Sequence, residues 1–207
     1  MAYANWLNPS KTSGSGNDTV NVSANADNTG RQARSTQIAF KAANVADVVR
    51  TVIQAGKPEF VSIQSAAAVS KDGQQVLTIE GVTNSSKLTF SLGGGATLAL
   101  TLPAQYNANS LQTTNGAAIA GDPGAGAEFP FSIQFADLPA NAQVVEKTAQ
   151  LIVTDAAGHT ATCTITQASA DPILTVAPET VTIDWNAATE GTSASFNVTS
   201  NTNWTIE

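Results

Sequence analysis

Short segments in which every second residue is apolar recur along the whole chain. In residues 36–40 and 160–165, for example, this alternation places apolar side chains on one face of an extended strand. Clusters rich in Gly, Asn, Asp and Ser lie between the segments, and such clusters favour turns. Many short strands joined by turns are typical of a β-sandwich or barrel, so we predict an all-β fold. The predicted strands include residues 19–23, 36–40, 60–63, 76–79, 97–102, 160–165, 173–176, 180–185 and 194–199.

Two segments allow more than one local structure. The apolar residues of 42–49 fit a short helix, but they fit a loop followed by a strand equally well, and we predict strand, loop and strand there. The Gly93-Gly94-Gly95 run lacks the Lys-Ser/Thr pair of a phosphate-binding loop. We therefore predict that this glycine run is a hairpin turn.

An internal repeat divides the chain. Gln37 and Gln54 are 17 positions apart, and so are Gln150 and Gln167. Each second glutamine is followed by Ala, by a short linker with a proline and by a new apolar strand. A spacing that is kept through two such units indicates tandem domains, with boundaries near residues 58 and 172.

The three segments between these boundaries differ in completeness. Residues 58–171 are long enough for a whole immunoglobulin-like sandwich, with a Gly/Ala-rich insertion near 104–127. Residues 172–207 supply about three strands and residues 1–57 about four, too few in either case to close a sandwich. The two end segments hold 36 and 57 residues, 93 together, which is close to the length of one immunoglobulin-like domain. We predict that they are the N-terminal and C-terminal portions of one split sandwich.

The split sandwich could be completed within one molecule or between two copies. A sandwich with strands of about eight residues is roughly 25 to 30 Å long, whereas the linker from Gln167 to Ile173 spans at most about 20 Å. Completion between copies is therefore favoured over closure within the chain. Head-to-tail completion would form a ring, a chain or a lattice, so we expect a homo-oligomer or a lattice-bound protein.

Composition excludes several kinds of partner. Charged residues make up 12% of the chain, the formal net charge is −7 and the pI is near 4.5, so phosphate backbones of nucleic acids would be repelled. No 18-residue apolar run predicts a membrane span, and the N-terminal residues have no signal-peptide pattern. We expect a protein made in the cytoplasm, with no nucleic-acid or membrane partner. Cys163 stands in an alternating strand and is predicted to be a buried core residue.

No group of residues predicts catalysis or cofactor binding. His159 is the sole histidine and follows a glycine at a predicted turn, so neither a triad nor a metal centre is expected. The acidic residues are scattered, which argues against the paired carboxylates of a glycosidase. A calcium loop around Asp18, Asp27 and Asp47 is the weaker alternative, because their spacing matches no EF-hand. We expect no enzyme activity, no cofactor and no metal.

The two end segments carry motifs of a known family. Residues 200–206 read Ser-Asn-Thr-Asn-Trp-Thr-Ile, residues 5–10 read Asn-Trp-Leu-Asn-Pro-Ser, and residues 52–56 read Val-Ile-Gln-Ala-Gly. Taken from 172 to 207 and then from 1 to 57, this order resembles the BACON family of immunoglobulin-like modules, which were first described as carbohydrate-binding. The resemblance is weaker in residues 58–171. It implies a fold of tandem BACON-like β-sandwiches with one sandwich split between the chain ends.

The tryptophans are the main candidates for an interaction site. Trp185 and Trp204 stand in core-strand patterns and are predicted to be buried, and Trp6 is predicted to be buried on weaker grounds. Ligand or interface contacts, if the end segments make them, would involve Trp6, Trp204 and Ile206.

Two functions remain open at this level. BACON-like modules occur in phages of gut Bacteroides, the crAss-like group among them. This resemblance implies a virion structural protein, most simply an auxiliary capsid protein that decorates the head, with other copies and phage capsid proteins as partners. The alternative is a carbohydrate-binding or adhesion module, extracellular or on a cell surface, with host glycans as ligands.

Overall fold

The structure, a computed structural model, describes residues 3–186 and 193–207. In these residues the protein is all-β, with no α-helix and one 3-10 turn at Pro123–Ala125. No helix in this part is long and apolar enough to cross a membrane. The strands are β1 (Leu7–Pro9), β2 (Val22–Ala24), β3 (Arg34–Phe40), β4 (Val48–Gln54), β5 (Val61–Ile63), β6 (Ala66–Val69), β7 (Gln74–Thr83), β8 (Leu88–Leu92), β9 (Gln105–Ala108), β10 (Leu111–Thr114), β11 (Phe129–Leu138), β12 (Lys147–Asp155), β13 (Thr160–Gln167), β14 (Leu174–Ala177) and β15 (Asn197–Ser200).

Strands β5 to β13 form a sandwich of two sheets, which we call the middle sandwich. One sheet has the order β10-β9-β11-β7-β5 and the other has the order β6-β13-β12-β8. The first strand of the sandwich is divided between the sheets: β5 pairs with β7 in antiparallel, and β6 pairs with β13 in parallel. This division lets one short segment cover an edge of both sheets.

Alternating side chains of both sheets fill the core of the middle sandwich. Ile79 and Ile133 come from the five-stranded sheet, and Leu151 and Ile165 come from the four-stranded sheet. The predicted burial of Cys163 is confirmed, and burial raises the pKa of its thiol. Full burial of a large aliphatic side chain contributes about 1.5 to 3 kcal/mol, so this core is the main source of stability.

The end segments form three small sheets of two strands each. β1 pairs with β2, β3 pairs with β4 and β14 pairs with β15. The loop between β3 and β4 spans residues 41–47, so the predicted strand, loop and strand are confirmed. Within the described ranges, no strand pairing joins residues 3–57 to residues 172–207. The split sandwich therefore stays a prediction.

Two predictions near the glycine run are wrong. Gly93–Gly95 does not close a hairpin, because the chain passes it and continues along β12, where the amides of Thr97 and Leu98 donate to the carbonyl of Thr148 at 2.8 and 3.0 Å. Residues 97–102 also form no regular strand, although Leu98 is buried. The apolar alternation of residues 97–102 places one side of the segment against the core, but the backbone is not continuously hydrogen-bonded to a neighbouring strand.

The Gly/Ala-rich insertion is an ordered part of the middle sandwich. Within it, β9 and β10 form a hairpin, and β9 pairs with β11 through Ala108 and Asn107. Tyr106 is buried with its ring centroid 4.7 Å from that of Phe90, and burial raises the pKa of Tyr106 to about 12. The insertion thus widens one sheet and contributes to the core.

Candidate functional site

Asn84 organises the corner at which the chain begins the middle sandwich. Its amide is fully buried, accepts a hydrogen bond from the Phe60 N–H at 3.0 Å and donates one to the Pro58 carbonyl at 3.2 Å. The Thr83 hydroxyl donates to the Phe60 carbonyl at 2.6 Å and accepts from the Ser85 N–H at 2.9 Å. These bonds satisfy polar groups that burial would otherwise leave unpaired. We call this arrangement the opening corner.

The C-terminal segment contains the same opening corner, built on Asn201. Its amide accepts from the Ile173 N–H at 2.8 Å and donates to the Asp171 carbonyl at 2.9 Å. The Ser200 hydroxyl donates to the Ile173 carbonyl at 2.9 Å and accepts from the Thr202 N–H at 3.1 Å. All four bonds of the first corner have a counterpart, so the described residues of the C-terminal segment begin the same structural unit as residues 58–85.

A second corner ends the middle sandwich, and we call it the closing corner. The Gln167 amide donates to the Pro139 carbonyl at 2.7 Å. The Asn141 amide donates to the carbonyls of Val145 and Ala168 at 2.9 and 3.0 Å. Together these bonds fix the last strand and the loop before β12 to each other.

The N-terminal segment contains the same closing corner. The Gln54 amide donates to the Ala26 carbonyl at 3.0 Å. The Asn28 amide donates to the carbonyls of Gln32 and Ala55 at 2.7 and 3.2 Å. Each residue stands at the same sequence distance from its partners as in the closing corner of the middle sandwich, so residues 26–55 end the same structural unit as residues 139–168.

The two hairpins next to the closing corners have the same register. Gln37 faces Thr51 in β3–β4, and Gln150 faces Thr164 in β12–β13, a shift of 113 residues (150 − 37). The repeat predicted from the glutamine spacing is therefore a repeat of paired strands. Two core positions change from apolar to polar, because Arg50 stands where the middle sandwich has the buried Cys163 and Thr36 where it has the buried Ala149.

The end segments leave apolar surface uncovered. In the middle sandwich β12–β13 is flanked by β8 and β6, whereas β3–β4 has no flanking strand among the residues described. Contiguous exposed apolar surface marks an interaction site more often than isolated apolar residues do. The exposed apolar residues of the two end segments include Phe40, Val45, Val48, Val49, Ile53, Ile173, Leu174, Val176, Ile183 and Phe196.

The structure places the three predicted interaction residues in different surroundings. Trp6 is 9% exposed and lies under the guanidinium of Arg34, 5.0 Å from the ring centroid, as expected for a buried residue. Trp204 is 47% exposed and Ile206 is 86% exposed, so both are accessible in the C-terminal segment. Trp6 thus lies in one end segment and the other two residues lie in the opposite one.

The predicted burial of Trp185 and Trp204 is wrong for the chain by itself. Trp185 is 97% exposed, and the predicted strand over residues 180–185 is not formed. Residues 1–2 and 187–192 lie outside the described residues. The physical reason for the exposure is that no second sheet covers β14–β15 in the part of the chain that the structure describes.

His159 is a turn residue, as predicted. Its ring Nδ1 lies 2.8 Å from the Asp155 carboxylate, and its backbone N–H donates to the same carboxylate at 2.8 Å. The Asp155 side chain is buried while the His159 side chain is 59% exposed. The pair therefore closes the β12–β13 turn.

The acids of the calcium alternative make other contacts. Asp18 accepts hydrogen bonds from Lys11, at 2.8 Å, and from the Thr19 N–H, at 2.7 Å, and these bonds lower the pKa of its carboxyl. Asp47 pairs with Lys41 at 3.0 Å. Over residues 3–186 and 193–207, no group of three His, Cys, Asp or Glu side chains is arranged to hold a metal ion.

Grooves lie on both the middle sandwich and the N-terminal segment in the part of the chain that the structure describes. The larger, about 730 Å³, crosses β5, β7 and β11 in the middle sandwich and is lined by polar residues such as Gln64, Glu80 and Asn107. The second, about 560 Å³, lies in the N-terminal segment between the loop of residues 9–20 and β3, where Ile38 and Phe40 line it. The second groove is therefore an open side of the incomplete N-terminal sheet pair.

The asparagines of the corners were missed by the sequence predictions. Their signal is present, because residues 83–85 read Thr-Asn-Ser and residues 200–202 read Ser-Asn-Thr. Asn28 and Asn141 likewise precede Gln54 and Gln167 by the same number of residues. Comparing hydroxyl and amide positions between the repeats would have found all four.

Comparison with known families gives one match. Residues 1–55 match the BACON family, which is described as "Putative binding domain, N-terminal". The matched part is about a quarter of the chain and ends with the closing corner of the N-terminal segment. The BACON resemblance expected for the N-terminal segment is confirmed, and the all-β architecture agrees with a BACON-like β-sandwich. No curated protein matches the chain.

Proposed function

We propose that the chain is a non-enzymatic structural protein that binds neighbouring protein subunits through its two end segments. One observation carries the proposal: the end segments repeat the opening and closing parts of the middle sandwich, yet their sheet edges and apolar faces are uncovered among the described residues. The BACON match at residues 1–55, described as a binding domain, is consistent with this role.

Within this role, the finer assignment is an auxiliary capsid protein that decorates the head of a phage virion. It rests on the resemblance to modules found in crAss-like phages and on the low share of charged residues, 12%, in a chain with no recognisable catalytic group. Its partners would be other copies of itself and phage capsid proteins. The protein would be assembled in the host cytoplasm and would require no cofactor.

Size-exclusion chromatography with light scattering tests the assembly role. We expect the mass to rise with protein concentration, because each copy offers both a donor and an acceptor end. The double variant Phe40→Ser/Val48→Ser, at two facing residues of β3 and β4, should shift this rise to higher concentration, whereas Val145→Ser, an exposed position on the middle sandwich, should not. A monomer at every concentration would contradict the proposal.

A carbohydrate-binding role is the second candidate, favoured by the polar side chains in the lining of the larger groove on the middle sandwich. Glu80, Asn107 and Ser132 line this groove and offer carboxylate, amide and hydroxyl groups that can bond sugar hydroxyls. A glycan array separates the two roles. Specific glycan binding that Asn107→Ala abolishes, and that Val145→Ala leaves intact, would make the carbohydrate role the leading one.

A further inference from the structure

We propose that a second copy of the chain completes the N-terminal segment with two strands in a defined register. Residues 180–183 of one copy pair in parallel with β4 of the other, and residues 204–206 pair in antiparallel with residues 40–42, at and just after the end of β3. The hairpin β3–β4 then becomes the centre of a four-stranded sheet. This inference rests on the proposed assembly role and adds the partner and the register.

The middle sandwich supplies the template for this sheet. Its order is β6-β13-β12-β8, so the hairpin β12–β13 has a parallel neighbour on one side and an antiparallel neighbour on the other. Because β3–β4 repeats β12–β13 in the same register, the missing neighbours are the counterparts of β6 and β8. Both counterparts lie in the C-terminal segment. The counterpart of β6 follows β14, and the counterpart of β8 follows the opening corner.

The counterpart of β8 is residues 204–206. After Asn84 the chain reaches Leu88-Thr89-Phe90, and after Asn201 it reaches Trp204-Thr205-Ile206 through a loop one residue shorter. Leu88 and Phe90 are buried in the middle sandwich. Trp204 and Ile206 therefore take the places of two core residues. They are exposed in the single chain because the sheet that would cover these core positions is supplied by the other copy.

The pairing of β8 with β12 fixes the register on this side. Thr89 faces Thr154 and Phe90 faces Val153. Moving β12 onto β3 by the repeat shift places Thr205 opposite Lys41 and Ile206 opposite Phe40. The groove of about 560 Å³ borders this part of β3, and the apolar residues in its lining, Ile38, Ala39 and Phe40, lie where the incoming strand would pass.

The counterpart of β6 is residues 180–183. In the middle sandwich Ile165 faces Ala67 and Gln167 faces Val69, and the equivalent positions on β4 are Val52 and Gln54. If the C-terminal segment is aligned with β6 by the repeat shift of 113 residues and without a gap, Thr180 and Thr182 take the places of Ala67 and Val69 and point toward the core. A shift of one residue turns Val181 and Ile183 inward instead, and since a one-residue slip exchanges the two faces of a strand, the apolar pattern selects this register.

Backbone groups along β4 agree with a missing parallel strand. In the middle sandwich the Ala168 N–H donates to the Val69 carbonyl at 3.1 Å, and the Thr164 N–H donates to the Ser65 carbonyl at 2.9 Å. The counterpart of Ala168 is Ala55, whose N–H has no acceptor among the residues that the structure describes. A strand edge with unpaired amides is a template for another chain.

The donor is a second copy because the two end segments lie at opposite ends of the middle sandwich. The N-terminal segment is held by the ion pair of Lys57 with Glu128 at 2.7 Å, next to the start of β11. The C-terminal segment is held by the ion pair of Lys71 with Asp171, next to the start of β7. β7 and β11 are antiparallel and ten residues long, so about 30 Å separates the two attachment points.

Cysteine cross-linking between two variants tests the register. All chains carry Cys163→Ala. One chain carries Lys41→Cys and a tag that changes its mass, and the other carries Thr205→Cys. Mild oxidation of the mixture should give a disulfide-linked heterodimer, because facing residues on paired strands bring Cα atoms within disulfide range. The control replaces Thr205→Cys by Thr202→Cys, three residues out of register, and should give roughly tenfold less heterodimer, since about 10 Å is too far to bridge.

The outcomes separate the inference from the proposed function. Preferential heterodimer with Thr205→Cys supports the register and the second copy. Equal cross-linking in the control overturns the register. In a further variant that carries both Lys41→Cys and Thr205→Cys, a disulfide that forms within the chain and never between chains overturns the second copy. If light scattering shows assembly while no register-specific disulfide forms, the assembly role stands and this inference fails.

Discussion

At the scale of single residues, side-chain amides rather than aromatic rings define the repeated unit. Asn84 and Asn201 each bond one backbone N–H and at least one carbonyl, and Asn28 and Asn141 tie a loop to the last strand. Where the amide is buried, as at Asn84 and Asn141, removing it costs more than the bond itself, because its partners are left unpaired away from water. The tryptophans that the sequence suggested as interaction residues do not form part of these repeated corners.

Truncation of the two opening corners should have unequal effects. Asn84→Ala should lower the free energy of unfolding by about 1 to 3 kcal/mol, because the amide is fully buried and its partners would be left unpaired. Asn201→Ala should cost less than about 1 kcal/mol in the unassembled chain, since water can reach its partners. Urea unfolding followed by far-ultraviolet circular dichroism measures both, and equal losses would contradict the burial argument.

At the scale of secondary structure, the tight turn between β6 and β7 depends on one glycine. Gly73 has φ of +78°, and a Cβ atom there would collide with the Leu138 carbonyl oxygen. Gly95 has nearly the same φ, +77°, but open space around the Cβ position. Gly95 is therefore a matched control for Gly73.

Alanine substitution should separate backbone strain from collision. Gly95→Ala should cost about 1 kcal/mol from the left-handed backbone alone. Gly73→Ala should cost about 2 kcal/mol or more, because the backbone of β11 must also move. Urea unfolding of the two variants checks the difference, and a Gly73→Ala variant as stable as Gly95→Ala would show that the turn adjusts freely.

The elements that could be predicted from the sequence are those set by local pattern. The alternation of apolar residues correctly predicted the strand over residues 160–165, and the glutamine spacing correctly indicated the two matching hairpins. Residues 97–102 and 180–185 alternate as well but form no regular strand, since alternation does not supply a backbone partner. The predicted burial of Trp204 is wrong for a similar reason, because its burial requires a covering sheet that local sequence does not specify.

At the scale of the whole molecule, we propose that the protein is a spacer with a donor end and an acceptor end. Contacts of this kind are heterologous, so they extend from copy to copy until a ring closes or a lattice limits them. Uncovered strand edges are otherwise an aggregation hazard, and covering them with the matching strands of a neighbour removes it. The same geometry suits a protein that coats a regular surface.

The most direct test of this account is hydrogen exchange along β4 at low and high protein concentration. In the proposed register the amides of Thr51, Ile53 and Ala55 point toward the donor strand, whereas the Val52 amide already pairs with β3. Assembly should slow exchange of the first three by about a hundredfold and leave Val52 nearly unchanged. If the protein assembles while Thr51, Ile53 and Ala55 exchange as fast as in the monomer, the end segments do not complete one another.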